Sequence, residues 1–166
     1  MDTLDGISAT NNRSGIKNLG VALDSVRILL IDDDEDDAMI AQDHLARIPG
    51  KRYHVDWAST FQSGITTLLE QKHDVCIVDY CLDKGTGLGL LAEASKYHCP
   101  VPIIMISGTT DNTLRNEAMG FGAVGFLFKS EVNSYGLENA IDKALLIDKT
   151  SARAEDHSHV PQYPFR

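Results

Sequence analysis

The sequence predicts an α/β fold, a doubly wound (βα)5 arrangement in which helices cover both faces of a five-stranded parallel sheet. Between residues 27 and about 147, short apolar runs alternate five times with segments of helical period. Strand and helix units in series give a parallel sheet with right-handed crossovers. The apolar runs are continuous, which is typical of strands buried on both faces. We therefore expect a three-layer sandwich in one domain.

The composition supports one domain with a tail at each end. The chain has 166 residues, of which 43% are hydrophobic and 23% are charged, as is ordinary for a globular protein. We assign residues 1–25 to an N-terminal tail, 26–149 to the domain and 150–166 to a polar C-terminal tail. Nothing after the fifth helix is long enough for a DNA-binding or catalytic module, so we expect the domain to act alone.

Charge and hydropathy exclude two classes of partner. A formal net charge of −9, without a basic stripe, argues against a nucleic-acid surface, so we expect no DNA partner. The N-terminus lacks the features of a signal peptide, and no apolar run approaches the length of a bilayer span. We expect a cytoplasmic location and no membrane insertion. The three cysteines lack zinc-ligand spacing, so they indicate neither a zinc site nor a disulfide framework.

The first two strands are expected at 28–32 and 53–58, with a helix near 36–48 between them. Ser59, with Gln62 three residues later, predicts a capping box at the start of the second helix. The apolar positions expected to face the core are Ala38, Ala41, Leu45 and Ile48 in the first helix and Phe61, Ile65, Leu68 and Leu69 in the second.

The second half of the domain continues the alternation. A glycine-rich loop, 84–87, precedes the third helix, and Pro100 stops it. The remaining strands are expected at 75–79, 102–107 and 125–129, and the remaining helices near 88–98, 111–121 and 134–148.

Six consecutive acids, residues 32–37, follow the first strand. We interpret residues 34–37 as the start of a helix, where carboxylates accept from free amides and suit the positive end of the dipole. Asp32 and Asp33 come directly off the strand. Two like charges about 4 Å apart repel by roughly 4 kcal/mol at an effective dielectric of about 20. A hard divalent cation such as Mg²⁺ relieves that repulsion, so these two residues predict a metal site.

Other strands deliver polar side chains to the same edge of the sheet. The third strand ends in Asp79, the fourth in Ser107 and the fifth in Lys129. In an open parallel sheet, ligands bind beyond the carboxyl ends of the strands. With the acids of the first strand, these groups suit a metal-assisted phosphoryl transfer in which an Asp is a covalent nucleophile.

The motifs at these strand ends resemble those of receiver domains in two-component response regulators. They are Ile31-Asp32-Asp33, Val78-Asp79-Tyr80, Ile106-Ser107-Gly108 and Phe128-Lys129-Ser130, and Gly87 matches the glycine that the family places after the phosphoacceptor loop. The resemblance covers residues 27 to about 147. It implies a single-domain regulator with a flavodoxin-like sheet in the strand order 2-1-3-4-5.

The resemblance also implies a role for each residue at the strand ends. Asp79 would accept a phosphoryl group from a sensor histidine kinase or a histidine phosphotransfer protein. Asp33, Asp79 and the backbone carbonyl of Cys81 would bind Mg²⁺. Asp32 would contact the same ion through water.

The implied switch depends on how the site meets the new phosphoryl charge. Lys129 and Ser107 would bind the phosphoryl oxygens, and Phe126 on the fifth strand would then swing inward. That movement would remodel the face of helix four, strand five and helix five, where an unknown downstream protein target binds. Two departures affect the loops, because Ser130 and Asp83 stand where relatives often have proline.

The main hypothesis is a bacterial, cytoplasmic receiver that catalyses only its own phosphorylation and dephosphorylation. One alternative is a haloacid-dehalogenase-like phosphatase, although residues 32–36 lack the Thr or Val of that family's Asp-x-Asp motif. Another is a pseudo-receiver, an interaction module that is never phosphorylated and usually lacks one of the five polar residues. A Mg²⁺ effect on Trp57 fluorescence tests the pseudo-receiver hypothesis only weakly, because we expect the second strand to hold Trp57 away from the site.

Overall fold

The computed structural model describes residues 25–155, with side chains described as far as residue 147. The predicted N-terminal tail up to residue 24 and the last part of the predicted C-terminal tail, residues 156–166, lie outside the described residues. In chain order the elements are β1 (Ser25–Ile31), α1 (Glu35–Ala46), β2 (Arg52–Ala58), α2 (Phe61–Leu69), β3 (Val75–Asp79), β4 (Cys81–Leu82), β5 (Gly85–Thr86), α3 (Gly87–Lys96), β6 (Ile103–Ser107), α4 (Asn112–Gly120), β7 (Gly125–Phe128), a 3-10 turn (Lys129–Glu131) and α5 (Ser134–Glu155).

Five of these strands form one parallel sheet in the order β2-β1-β3-β6-β7. β4 and β5 pair with each other as a short antiparallel hairpin. With the hairpin set aside, the sheet has the 2-1-3-4-5 order that the resemblance implied, so the predicted fold is confirmed. The order reverses between β1 and β3, and this reversal opens a crevice at their carboxyl ends.

The strands contribute side chains to two apolar cores, one on each face of the sheet. Along β1, Ile28 and Leu30 pack in the core that contains α1 and α5. Leu29 and Ile31 pack in the other core, with α2, α3 and part of α4. Because successive side chains of a strand alternate between faces, burial on both faces requires the continuous apolar run seen in the sequence. The three-layer prediction is therefore confirmed.

Several element boundaries differ from the predicted ones. β1 begins at Ser25 instead of residue 28, since its parallel pairing with β2 already starts there, opposite Arg52. α1 ends at Ala46 instead of residue 48. A tighter turn follows Ala46, in which the N–H of Arg47 donates to the carbonyl of His44. α5 continues beyond the predicted residue 148, as far as Glu155.

The capping box of α2 is formed by Thr60 and Ser63, so the predicted pair, Ser59 and Gln62, is wrong by one residue. The Oγ1 of Thr60 accepts the N–H of Ser63 at 3.0 Å, and the Oγ of Ser63 accepts the N–H of Thr60 at 3.3 Å. Thr60 keeps an extended backbone immediately before Phe61, the first helical residue. A serine hydroxyl thus takes the place of the usual Glu or Gln side chain.

The β4–β5 hairpin occupies the glycine-rich stretch that the sequence analysis assigned to a loop, and it folds against the end of β3. Lys84 in its turn has a φ of 61°, in the left-handed region. The N–H of Gly87 donates to the carbonyl of Tyr80 at 2.8 Å. A Cβ atom at Gly87 would lie 2.8 Å from the backbone oxygen of Asp79. Glycine therefore allows α3 to begin directly beside the strand end that carries the site.

Candidate functional site

A cleft of about 390 Å³ lies at the carboxyl ends of β1, β3 and β7. Its lining residues are Asp32, Asp33, Asp34, Asp79, Cys81, Leu82, Asp83 and Lys129. Asp32 and Asp79 are 5% and 3% exposed, whereas Asp33 is exposed. The cleft therefore brings together four of the five strand-end residues that the sequence analysis selected, and the fifth, Ser107, ends the adjacent β6.

Three carboxylates converge in this cleft. Asp32, Asp33 and Asp79 each offer one oxygen atom, and these atoms all lie within 4.8 Å of one another. The Oδ2 of Asp79 accepts the backbone N–H of Cys81 at 2.9 Å, but its Oδ1 is buried without a hydrogen-bond partner. A buried carboxylate oxygen without a hydrogen-bond partner, beside two other carboxylates, is a donor set that fits a hard divalent cation.

Backbone amides hold the two acids of the first motif in place. The N–H of Asp34 donates to the Oδ1 of Asp32 at 2.9 Å. The N–H of Asp83, in the β4–β5 hairpin, donates to the Oδ2 of Asp33 at 3.1 Å. These bonds orient the carboxylates while leaving other lone pairs free for a ligand.

Asp34 caps the N-terminus of α1, in agreement with the prediction that residues 34–37 start a helix. Its Oδ1 accepts the N–H of Asp36 at 2.9 Å and the N–H of Asp37 at 3.2 Å.

Burial and neighbouring charges shift the pKa values of Asp32, Asp79 and Lys129 in the cleft. Burial raises the pKa of the Asp32 carboxyl to about 6; the N–H of Asp34 opposes this shift, and the charge of Asp79 adds to it. Burial also raises the pKa of Asp79, against the opposing charge of Lys129. Burial alone would lower the pKa of Lys129, but the carboxylates of Asp37 and Asp79 outweigh it and raise that pKa. Lys129 therefore stays positively charged in the site.

Lys129 contacts two carboxylates, and the sequence analysis anticipated only one of them. Its Nζ lies 3.3 Å from the Oδ1 of Asp79 and donates a hydrogen bond of 2.5 Å to the Oδ2 of Asp37. The sequence pattern places Asp37 only at the start of a helix. The sequence does indicate that Asp37 faces the sheet, because it precedes the buried Ala41 by four residues and so lies on the same helix face.

Ser107 is fully buried at the end of β6. Its Oγ accepts the N–H of Thr109 at 3.2 Å, in the loop that leads to α4. The same strand end lies in register with Phe128, one residue before Lys129. The hydroxyl is thus held beside the strand that carries the lysine.

Phe126, the predicted switch residue, is half-buried in an aromatic cluster with a cation at its centre. The rings of Phe126 and Phe128 meet edge to face, with centroids 5.4 Å apart. The guanidinium of Arg115, on α4, lies 5.4 Å from the Phe126 centroid and 4.7 Å from the Phe128 centroid. The sequence analysis missed Arg115. Phe126 and Arg115 line a groove of about 580 Å³ between α4, β7 and α5.

The loop after β7, which contains the position where relatives often have proline, is closed by a side-chain hydrogen bond. Residues Lys129–Glu131 form a 3-10 turn that includes Ser130. The Oε2 of Glu131 accepts the N–H of Phe128 at 2.9 Å. The same carboxylate lies 3.8 Å from Arg115, so the turn is linked to α4.

Trp57 lies beside the site, which corrects the prediction that strand two would hold it away. Its indole Nε1–H donates to the backbone carbonyl of Asp32 at 2.8 Å. The pairing of β1 and β2 places Ile31 opposite Ala58, and the indole of the preceding residue is long enough to reach the first residue after β1.

The chain matches a family model over most of the described residues. Residues 28–142 match the model of the response regulator receiver domain. The transcriptional regulatory protein RprY of Bacteroides fragilis is 27% identical over 106 residues, which cover 64% of this chain and 44% of that protein. The transcriptional regulatory protein MalR of Bacillus subtilis is 28% identical over 104 residues, which cover 63% and 44%. The chain thus spans less than half the length of these curated relatives.

Solved structures show the same likeness. A response regulator receiver domain protein from Clostridium thermocellum is 30% identical, with a TM-score of 0.65, over 76% of this chain and 98% of that one. A CheY-like receiver domain protein from Methanospirillum hungatei shares the fold at 23% identity, with a TM-score of 0.67 over 77% of this chain and 99% of that one. Within the described residues, no helix is both long and apolar enough to cross a membrane.

Proposed function

This chain belongs to the response regulator receiver domain family, and from that premise we propose that Asp79 is its phosphoacceptor. The phosphodonor would be a sensor histidine kinase or a histidine phosphotransfer protein. The observation that carries the proposal is the Oδ1 of Asp79, which is buried, has no hydrogen-bond partner and lies 3.3 Å from the Lys129 amine at the lining of an acidic cleft. The N–H of Cys81 fixes the other oxygen of the same carboxylate.

The proposed step is a displacement at phosphorus. The Oδ1 of Asp79 forms a bond to the phosphorus of a phosphohistidine, and the P–N bond breaks with its electron pair moving to the imidazole nitrogen. Protonation from water then leaves a neutral histidine, and the product is an aspartyl phosphate. With acetyl phosphate as donor, the P–O bond breaks instead and acetate leaves.

The residues around Asp79 fit a role in this step. Asp33, Asp79 and the backbone carbonyl of Cys81 would hold Mg²⁺, with Asp32 acting through water. When bound, the ion supplies positive charge to the phosphoryl oxygens. The Lys129 amine contributes a second positive charge, and the hydroxyl of the neighbouring Ser107 contributes a hydrogen bond.

The output would be a change on the face formed by α4, β7 and α5. Ser107 and the half-buried Phe126 are the proposed switch pair, since Met105 of β6 lies in register with Phe126 and Ser107 ends the same strand. An inward movement of Phe126 would separate its ring from the guanidinium of Arg115. A downstream protein would then recognise the altered groove between the two helices.

The setting of this switch is part of the proposal. The curated relatives named above are bacterial, and their printed names describe transcriptional regulation by those proteins. For this chain we propose a cytoplasmic switch whose output is a protein contact, without action on a separate substrate. The family match favours this function over the haloacid-dehalogenase-like phosphatase.

Mass spectrometry after incubation with Mg²⁺ and acetyl phosphate tests the proposal. We expect wild type to gain one phosphoryl group and Asp79→Asn to gain none. Asp83→Asn removes another acid of the same cleft and should still be phosphorylated, which makes it a matched control. No gain on wild type would favour the pseudo-receiver, and a gain that persists in Asp79→Asn would assign the reaction to another residue.

A further inference from the structure

We propose that Asp37 is a positioning residue that competes with the phosphoryl group for the amine of Lys129. Its effect would be to stabilise the unphosphorylated state and so to lower the phosphorylated fraction. The inference rests on the proposed function, because it assumes that Lys129 binds the phosphoryl oxygens.

The Lys129 amine hydrogen-bonds to Asp37 in preference to Asp79. Its Nζ donates to the Oδ2 of Asp37 at 2.5 Å. The Oδ1 of Asp79 lies 3.3 Å from the same nitrogen but has no hydrogen-bond partner. The amine therefore makes its shorter contact with Asp37, and its contact with the proposed nucleophile is the longer of the two.

The backbone of Asp37 is held in place at the start of α1. Its backbone N–H donates to the Oδ1 of the capping residue Asp34 at 3.2 Å. The next residue, Ala38, and Ala41 one turn later are both buried against the sheet. The backbone of Asp37 is thus fixed at the start of α1, and from there its carboxylate reaches the Lys129 amine.

The ion pair of Lys129 and Asp37 lies beside apolar side chains. A cavity of about 130 Å³ adjoins Asp37 and Lys129. Its other lining residues, apart from Asp32, are the apolar Leu30, Ile40, Ala41, Ile106 and Val132. Both charged side chains are only about one-third exposed. Apolar walls lower the local dielectric, so this pair is stronger than a fully solvated one.

Negative charge predominates in the cleft. Among the described residues that line the cleft, Lys129 is the one base, and it faces five aspartates. A phosphoryl group adds roughly −1.5 to −2 charges to that cleft. To bind the phosphoryl oxygens, the Lys129 amine must share or weaken its contact with Asp37, so we infer that a stronger contact with Asp37 opposes phosphorylation.

Binding of beryllofluoride, a phosphoryl mimic, tests the competition without turnover. The affinity would be measured in the presence of Mg²⁺ by the fluorescence of Trp57, for wild type, Asp37→Asn and Asp36→Asn. Asp36 is the matched control, because it is an exposed acid in the same first turn of α1. Both variants lose the same charge from the helix start.

We expect Asp37→Asn to bind beryllofluoride about two- to fivefold more tightly than wild type, as suits the loss of one partly exposed ion pair. Asp36→Asn should match wild type. Asp37→Glu restores a carboxylate that reaches the lysine and should return the affinity toward the wild-type value. The phosphorylated fraction at a fixed acetyl phosphate concentration should rise in Asp37→Asn alone.

Two outcomes would overturn the inference by itself. In one, Asp37→Asn binds no more tightly than Asp36→Asn; in the other, it binds more weakly than wild type, so that Asp37 supports the lysine. Thermal unfolding of each variant separates a loss of folding from a loss of affinity. If wild type and Asp37→Asn both fail to bind beryllofluoride and to gain a phosphoryl group, the proposed function is overturned as well.

Discussion

The indole N–H of Trp57 donates to the backbone carbonyl of Asp32 at 2.8 Å, which connects the edge strand β2 to the acidic cleft. Trp57 is the one tryptophan of the chain, so its emission is a direct probe of that cleft. An ion that reorganises the carboxylates around Asp32 must change the electrostatic environment of the indole. The probe uses the native sequence and needs no label.

We therefore predict that Mg²⁺ changes the fluorescence of Trp57 in a saturable manner. Asp33→Asn should weaken the apparent Mg²⁺ affinity by about tenfold or more, because it removes a charged ligand. Asp36→Asn should leave the affinity near that of wild type, since its side chain lies outside the cleft. A saturable signal with equal affinity in wild type and Asp33→Asn would contradict the proposed ligand set.

Asp32→Asn should stabilise the metal-free protein at pH 7. The pKa of Asp32 is about 6 in the folded protein and lies above the usual value of 3.8. Ionisation of this buried carboxyl therefore lowers the free energy of unfolding, and the loss is complete above pH 6. The asparagine removes the charge and keeps an oxygen for the N–H of Asp34. We expect the free energy of unfolding to rise by about 1–3 kcal/mol, measured by urea denaturation with EDTA present.

The stabilisation by Asp32→Asn should depend on pH. Below the folded-state pKa, Asp32 is protonated in the native protein and resembles the asparagine. The gain from Asp32→Asn should therefore be largest above pH 6, fall as the pH decreases from 6 and vanish near pH 4. A gain that is constant from pH 7.5 to pH 4.5 would show that the cause is not the charge of Asp32.

The strand-end residues were predictable because of topology, whereas their contacts depend on side-chain reach. Parallel strands share one carboxyl edge, so Asp32, Asp79 and Lys129 had to meet once the five units were recognised. The pairing of Lys129 with Asp37 joins residues 92 positions apart, and local spacing does not determine it. The position of Trp57 likewise depends on an indole that reaches across to a neighbouring chain segment.

Gly87→Ala should destabilise the protein by about 1–3 kcal/mol, because the added Cβ would meet the backbone oxygen of Asp79 at 2.8 Å. Gly89→Ala is the matched control in the same turn of α3, since its Cβ would have no neighbour closer than 3.5 Å. A helical Gly→Ala change without a clash stabilises by about 0.5–1 kcal/mol. Equal effects of the two variants in urea denaturation would contradict the close approach at the site.

Arg115→Ala should lower the free energy of unfolding by about 1 kcal/mol, because the guanidinium lies over the rings of both Phe126 and Phe128. Arg115→Lys keeps the charge but loses the planar stacking group, so we expect an intermediate value. Lys143→Ala, in the same groove, removes a cation that contacts neither ring and serves as control. If Arg115→Ala and Lys143→Ala lower the free energy of unfolding by the same amount in urea denaturation, the aromatic cluster does not depend on the arginine.

The most direct test of the central claim is to locate the phosphoryl group on the chain. Wild type would be treated with Mg²⁺ and acetyl phosphate, reduced with borohydride, digested and sequenced by mass spectrometry. Borohydride converts an aspartyl phosphate to homoserine, and we predict homoserine at position 79 in wild type and at no aspartate of the Asp79→Asn variant. Homoserine at Asp32, Asp33 or Asp37 in wild type, with Asp79 unmodified, would contradict the account.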